Sequence, residues 1–222
     1  MPETPGGSYP VQIDVDPQRA GRNRLTVGFR VILAFPHLIL VGAPGFGLGL
    51  YNETRSPDGS AGHSGSLGSN GVLGIVAVVA AIISWFAIVF TGRQPRGLWD
   101  LTRFYMRWRA NAVAYTALLR DEYPPFGVGP YPVTYDVQYP ERRDRLTVGL
   151  RLILAIPHVV VLVFLDIAWF VTAVVAWLAI LFTGEYPDGL YRFGIGVMRW
   201  TLRVETYVLL MRDEYPPFSL QR

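Results

Sequence analysis

A mainly α-helical integral membrane protein, built from two tandem copies of one unit, is the fold class this sequence predicts. Three observations lead there. Long strings recur: Arg24-Leu25-Thr26-Val27-Gly28 returns as Arg145-Leu146-Thr147-Val148-Gly149, and Asp121-Glu122-Tyr123-Pro124-Pro125-Phe126 returns as Asp213-Glu214-Tyr215-Pro216-Pro217-Phe218. Val72 to Phe90 and Ile167 to Phe182 carry no charge. Arginines crowd the segments between the apolar stretches. The copies run over residues 9–126 and 131–218, and the Gly/Ser-rich residues 42–71 are an insertion found only in the first.

Each unit opens on an alternation of apolar and polar residues, Tyr9 to Val15 or Tyr131 to Val137, which reads as a short strand. An arginine-rich connection follows, with Arg19, Arg22 and Arg24 in one copy and Arg142, Arg143 and Arg145 in the other. A first apolar helix then covers Leu25 to Val41 or Leu146 to Leu165, with Arg30 or Arg151 near its start and a kinking Pro36 or Pro157. A second apolar helix follows, long enough to approach the roughly 20 residues a bilayer requires. Gly92 and Gly184 suit its C-terminal cap, and Pro95 and Pro187 block its continuation. With Asp166 at the tip in copy two and the Gly/Ser-rich loop at the tip in copy one, each unit reads as a two-helix transmembrane hairpin. Both hairpins then enter the membrane in the same direction. Nearly all arginines fall on the side of the strands, Arg55 excepted, so the positive-inside rule predicts a multi-pass protein with cytoplasmic termini.

The third helix of each unit differs in character. Arg103 and Arg107, and in copy two Arg192, Arg199 and Arg203, form stripes beside aromatic residues such as Trp108, Tyr115, Trp200 and Tyr207. A stripe of that kind predicts an amphipathic helix lying in the membrane interface, its arginines on lipid headgroups.

Composition narrows the chemistry. The chain is 51% hydrophobic, with a mean hydropathy of +0.28 and a formal net charge of +3. The absence of Cys excludes disulfides, thiolate nucleophiles and Cys-based metal sites. All 20 basic residues are Arg, a bias that codon usage in a GC-rich genome explains and that also suits bidentate phosphate contact. The weak net charge gives no case for nucleic acid. The first ten residues have neither the basic nor the apolar region of a secretory signal. Gly42, Gly45, Gly47 and Gly49 lack the strand–helix context of a nucleotide loop, and a chain without Lys has no Walker lysine.

Four polar residues within the apolar helices are the candidate site: Arg30, Arg151, His37 and His158. Arginines facing each other across the two copies would attract an anion or a lipid phosphate; facing outward they would snorkel. The histidines follow kinking prolines, and a carbonyl freed by the kink is their expected partner, with a proton relay as the alternative. No ligand spacing supports a metal, and no cofactor is expected. Arg120-Asp121-Glu122 and Arg212-Asp213-Glu214 read as helix-end ion pairs. Asp100, Asp166 and Glu205 have no matching residue in the other copy.

Arg-Leu-Thr-Val-Gly-x-Arg-x-Ile-Leu-Ala-x-Pro-His, then Thr-Gly-x-x-Pro-x-Gly-Leu, then Glu-Tyr-Pro-Pro-Phe resembles a family of bacterial membrane proteins carrying a domain of unknown function in tandem. The resemblance covers both copies apart from the Gly-rich loop. It implies a bacterial cytoplasmic membrane location and carries no catalytic residues to transfer. The expected function is non-enzymatic: a scaffold or accessory subunit of a membrane assembly. Its expected partners are the lipid bilayer, anionic headgroups, and a protein partner or a second copy of the chain. A small anion or solute transporter working as an oligomer is the first alternative, and a lipid-binding or lipid-modifying protein the second.

Overall fold

A computed structural model describes residues 9–45, 54–55, 61–62, 71–141 and 143–221. His63 and most of the Gly/Ser-rich insertion lie outside the described residues. The fold is mainly helical, in the order β1 (Val11–Val15), α1 (Arg24–Gly28), α2 (Arg30–Val41), β2 (Thr54–Arg55), β3 (Ala61–Gly62), α3 (Gly71–Thr91), α4 (Arg96–Thr116), β4 (Val133–Val137), α5 (Arg145–Thr183) and α6 (Asp188–Val208). Two helices, α3 and α5, are long and apolar enough to cross a membrane.

The largest departure from expectation is α5. It is one uninterrupted helix of 39 residues, so the hairpin turn predicted at Asp166 does not form. The alignment of the copies gives the reason. Val41 corresponds to Leu162 and Gly71 to Val163, so copy two has no residues to spare for a turn. One Asp in an otherwise apolar run does not break a helix without Gly or Pro beside it. The start of α5 is fixed by Asp144, whose side chain accepts from the Leu146 N–H, and its end by Gly184 in the left-handed conformation, with Pro187 beyond. At about 1.5 Å per residue the helix is roughly 58 Å long, nearly twice the ~30 Å hydrocarbon thickness.

Copy one builds the same rod in pieces. Asn23 caps α1 through the N–H groups of Leu25 and Thr26, and hydrogen bonds bridge Phe29 into α2. The first residue of α3, Gly71, then abuts the last turn of α2. A Cβ placed on Gly71 would lie 2.5 Å from the Leu40 carbonyl carbon, and its φ is +64°. Only glycine meets both conditions. The insertion is thus extruded from the middle of what copy two keeps as a single helix.

The two rods run antiparallel. Trp177 Nε1 of α5 donates to the Val27 carbonyl at 3.0 Å, and Trp85 Nε1 of α3 donates to the Val148 carbonyl at 3.2 Å. Arg24 lies over the C-terminal Gly184 of the other rod and Arg145 over Gly92, so each cation meets the negative end of a helix. These contacts exchange when the copies are exchanged.

Above the rods lie α4 and α6, and above them the antiparallel pair β1–β4, in register Val11↔Val137, Ile13↔Tyr135 and Val15↔Val133. The alternation expected from the sequence is present: Val11, Ile13, Val15, Val133, Tyr135 and Val137 are buried, whereas Gln12, Thr134 and Asp136 face outward. The middle layer is the core. More than half of α4 and two thirds of α6 are buried, including Met106, Val197, Met198 and Leu202. The rods show the opposite pattern, with Leu25 at 76%, Phe90 at 74%, Leu146 at 78% and Phe182 at 80% exposure. The expected interfacial third helices are therefore interior, and the apolar rods carry the open surface.

Candidate functional site

The polar residues that the sequence singles out form two matched clamps where the rods begin. In copy one the Asp121 carboxylate accepts from Arg22 at 2.9 and 2.7 Å, from Arg30 at 2.5 Å and from the Asn23 N–H at 2.9 Å. Arg30 also donates to the Arg120 carbonyl at 2.9 Å and lies 4.1 Å over the Tyr115 ring. In copy two Asp213 pairs with Arg151 at 2.5 Å and Arg143 at 3.0 Å, and Arg151 lies 4.5 Å over Tyr207. Arg22 and Arg143 reach further, to the carbonyls of Leu118 and Leu210 at 2.6 and 2.7 Å.

Those two leucines, at φ +64° and +61°, are the non-glycine residues with positive φ among the described residues. The left-handed conformation costs a β-carbon residue about 1–2 kcal/mol, and here it is held by the arginine on its carbonyl and by burial of the side chain. Burial alone would raise the Asp121 carboxyl, but the hydrogen bonds from Arg22 and Asn23, with the charges of Arg22 and Arg30, hold it below the ordinary value. Burial pushes Arg143 down to about 10 despite the Asp213 charge.

Arg30 and Arg151 thus neither face each other nor point outward. They sit near opposite ends of the antiparallel rods, each closed onto its own copy's terminator. The helix-end pairing expected for Arg120 and Arg212 is present, to Glu122 at 2.5 Å and to Glu214. The neighbouring aspartates are instead the centres of the clamps. The sequence signal for them was the matched recurrence of Arg22/Arg143 and Asp121/Asp213, which pair only in three dimensions.

His37 and His158 occupy aromatic boxes. Trp108 Nε1 donates to His37 Nδ1 at 3.0 Å, and Trp200 Nε1 to His158 Nδ1 at 3.1 Å. Phe126 stacks on His37 at 4.6 Å and Phe218 on His158 at 3.9 Å. Because indole only donates, each Nδ1 is unprotonated and the neutral ring carries its proton on Nε2. The Pro124 carbonyl lies close to the His37 ring. The expected partner, a carbonyl freed by the kink, is replaced by a tryptophan from the third helix. The Tyr-Pro-Pro-Phe terminator is the lid of this box.

The headgroup arginines have other partners. Arg103 pairs with Asp136 at 3.1 Å and Arg199 with Asp14 at 2.7 Å, both on the strands. Arg203 is buried against the Gln221 carbonyl and Tyr9, and exposed Arg192 pairs with Asp188. Arg107 is exposed. Through their aspartates, Arg103 and Arg199 are tied to the strand layer.

One cluster has no equivalent in the other copy. Arg109, fully buried, donates to both Glu205 oxygens at 2.7 and 2.6 Å and to the carbonyls of Val41, Ala43 and Gly45. These carbonyls end α2 and follow it. In copy two the helix continues, no carbonyls are freed there, and the corresponding residues are Thr201 and Val113. Among the described residues no three His, Asp or Glu side chains gather to hold a metal ion.

The fold is that of a mainly helical protein with two long apolar helices. A family model described as a domain of unknown function (DUF4389) matches residues 70–127 and 145–219, and the chain belongs to that family. The first match begins where α3 begins, immediately after the insertion that interrupts the rod. No curated protein and no solved structure matches the chain.

Proposed function

We propose that the protein is a non-catalytic membrane platform: the two rods embed in one leaflet of a bacterial cytoplasmic membrane, and the strand-bearing face is offered to a partner in the cytoplasm. The observation that carries this reading is the contrast in burial between the exposed apolar rods and the interior third helices. An exposed apolar surface of that extent needs lipid or protein to cover it.

The orientation follows from symmetry. The interchangeable contacts support an approximate two-fold axis between Ile13 and Tyr135, perpendicular to the rods. If the rods crossed the bilayer, that axis would lie in its mid-plane. Gln12, Thr134, Asp136 and exposed Arg107 would then sit at mid-bilayer depth, where a charge costs about 2.5–3.5 kcal/mol or more. With the axis along the membrane normal, the rods lie among acyl chains and the polar strand face stays in water. Arg24, Arg93, Arg96 and Arg145 at the rod ends then reach the phosphates. Arg30 and Arg151 sit in separate clamps and share no cleft among the described residues, which supports the platform over the transporter reading.

Because the chain has no Cys, single cysteines test this directly. Glu141→Cys and Glu185→Cys flank α5, and both are exposed. In sealed vesicles an impermeant maleimide should label both from the same side. Labelling from opposite sides would make α5 a spanning helix and overturn the proposal.

A further inference from the structure

Two clefts open beside the clamps, and each is the counterpart of the other. The first, about 510 Å³, is walled by Phe170, Ala173, Val174 and Trp177 of α5, with Arg30 and Leu118, and Asp166 also lines it, a carboxylate the second cleft lacks. The second, about 250 Å³, is walled by Val78, Ala81, Ile82 and Trp85 of α3, with Arg151 and Leu210. Both are lined chiefly by apolar side chains, and both adjoin the exposed faces of the rods. The first falls within the usual size of small-molecule sites, and the second is slightly smaller.

Each cleft contains an arginine that its clamp does not fully satisfy. Arg30 is 2% exposed and Arg151 1%, and Nε of each has no hydrogen-bond acceptor among the described residues. The charge balance is also unequal. Arg22 and Arg30 share Asp121, and Arg143 and Arg151 share Asp213, so each clamp buries two guanidiniums against one carboxylate. A buried excess positive charge calls for an anion. In each copy the strained leucine lines the same cleft.

We infer that each cleft holds one acyl chain of an anionic phospholipid, whose phosphate balances the clamp's excess charge. The apolar walls select a hydrocarbon chain, the guanidiniums select an anion, and continuity with the rod surface identifies the bilayer as the source. The inference rests on the membrane platform reading. It adds that the protein is specific for lipid charge and holds two lipids per chain.

The test uses the full chain in nanodiscs of equal parts phosphatidylglycerol and phosphatidylcholine, released in native mass spectrometry. Two retained phosphatidylglycerols are expected. Ala173→Trp should remove one, Ala81→Trp the other, and the double variant both. Val31→Trp at the mouth of the first cleft, where the side chain is 71% exposed, also removes one without a change in the core. A parallel sample supplied with oleate in phosphatidylcholine discs should retain no fatty acid. Equal retention of the two phospholipids, retention of oleate, or two lipids still bound to the Val31→Trp and Ala173→Trp proteins would overturn the inference. If the cysteine labels at Glu141 and Glu185 still react from one side, the platform reading survives that failure.

Discussion

The rod of copy one and the rod of copy two solve the same packing problem with different amounts of chain. α5 runs unbroken, whereas its counterpart is split between α2 and α3 and releases a long segment at the break. A split helix leaves carbonyls without partners. Copy one answers with Arg109, which takes the Val41 carbonyl that ends α2 and those of Ala43 and Gly45 beyond it, and is neutralised by Glu205 from the other copy. The symmetry-related pair, Thr201 of copy two and Val113 of copy one, has nothing to satisfy and carries no charge. Asymmetry in an otherwise matched pair of copies therefore traces to one insertion and its electrostatic consequence.

The comparison can be broken most severely at that ion pair. Glu205→Val leaves Arg109 buried without a counter-charge and should cost about 3–5 kcal/mol in a denaturation midpoint measured in detergent. The companion change Arg109→Thr in a chain lacking residues 42–70 should recover most of that loss, because the joined helix then resembles α5. If the triple variant is no more stable than Glu205→Val alone, the account of Arg109 is wrong.

The two clamps offer a finer contrast. Asp121→Asn should destabilise more than Asp213→Asn, since the Asp121 side chain is 9% exposed and that of Asp213 is 19%. A loss of about 2–3 kcal/mol is expected for the first, read by thermal melts of both variants side by side. Equal losses would show that burial does not separate the copies. Gly71→Ala tests the junction of the split rod. With φ at +64° and the Leu40 backbone in the way, it should cost about 1–2 kcal/mol or more, whereas its counterpart Val163 sits in an ordinary helix.

Acid is the mildest perturbation. Asp121, Glu122 and Glu214 all have folded pKa values below the ordinary carboxylate range. Their stabilisation is complete above the unfolded values, about 3.9–4.3, and is lost as pH falls through the lower folded ones. The carboxylate contribution should show as a fall in melting temperature below about pH 4. Asp121→Asn should flatten part of that fall, and an unchanged profile would remove Asp121 from the account.

Much of the architecture is legible in the residues. Alternation marks both strands, Gly92 and Gly184 mark the rod ends, and the recurring strings mark the copies. The continuity of α5 was harder to see, because the Gly-rich loop in copy one makes a hairpin the natural reading of both. The evidence against a turn lay in the register of the alignment, Val41 to Leu162 and Gly71 to Val163, rather than in any local signal at Asp166. The arginine stripes misled for another reason. A stripe fixes which residues share a helix face, but its neighbour is set by tertiary packing, and here Arg103 and Arg199 face Asp136 and Asp14. The clamps were half visible: Arg30 and Arg151 stood out as charges in apolar helices, whereas Asp121 and Asp213 looked like ordinary helix ends.

The strands have a consequence for ancestry. By sequence β1 belongs to copy one, yet it packs on α6, and Tyr9 bonds the Glu214 carbonyl; β4 belongs to copy two, yet it packs on α4, and Tyr131 bonds the Glu122 carbonyl. Each half completes itself by borrowing from its sibling. The chain has the build of a fused homodimer, in which a one-copy precursor would have assembled by lending its first strand to a twin. Cutting the connection near Gly129 and co-expressing the pieces should restore the whole, while either piece alone would lack the strand that covers its third helix.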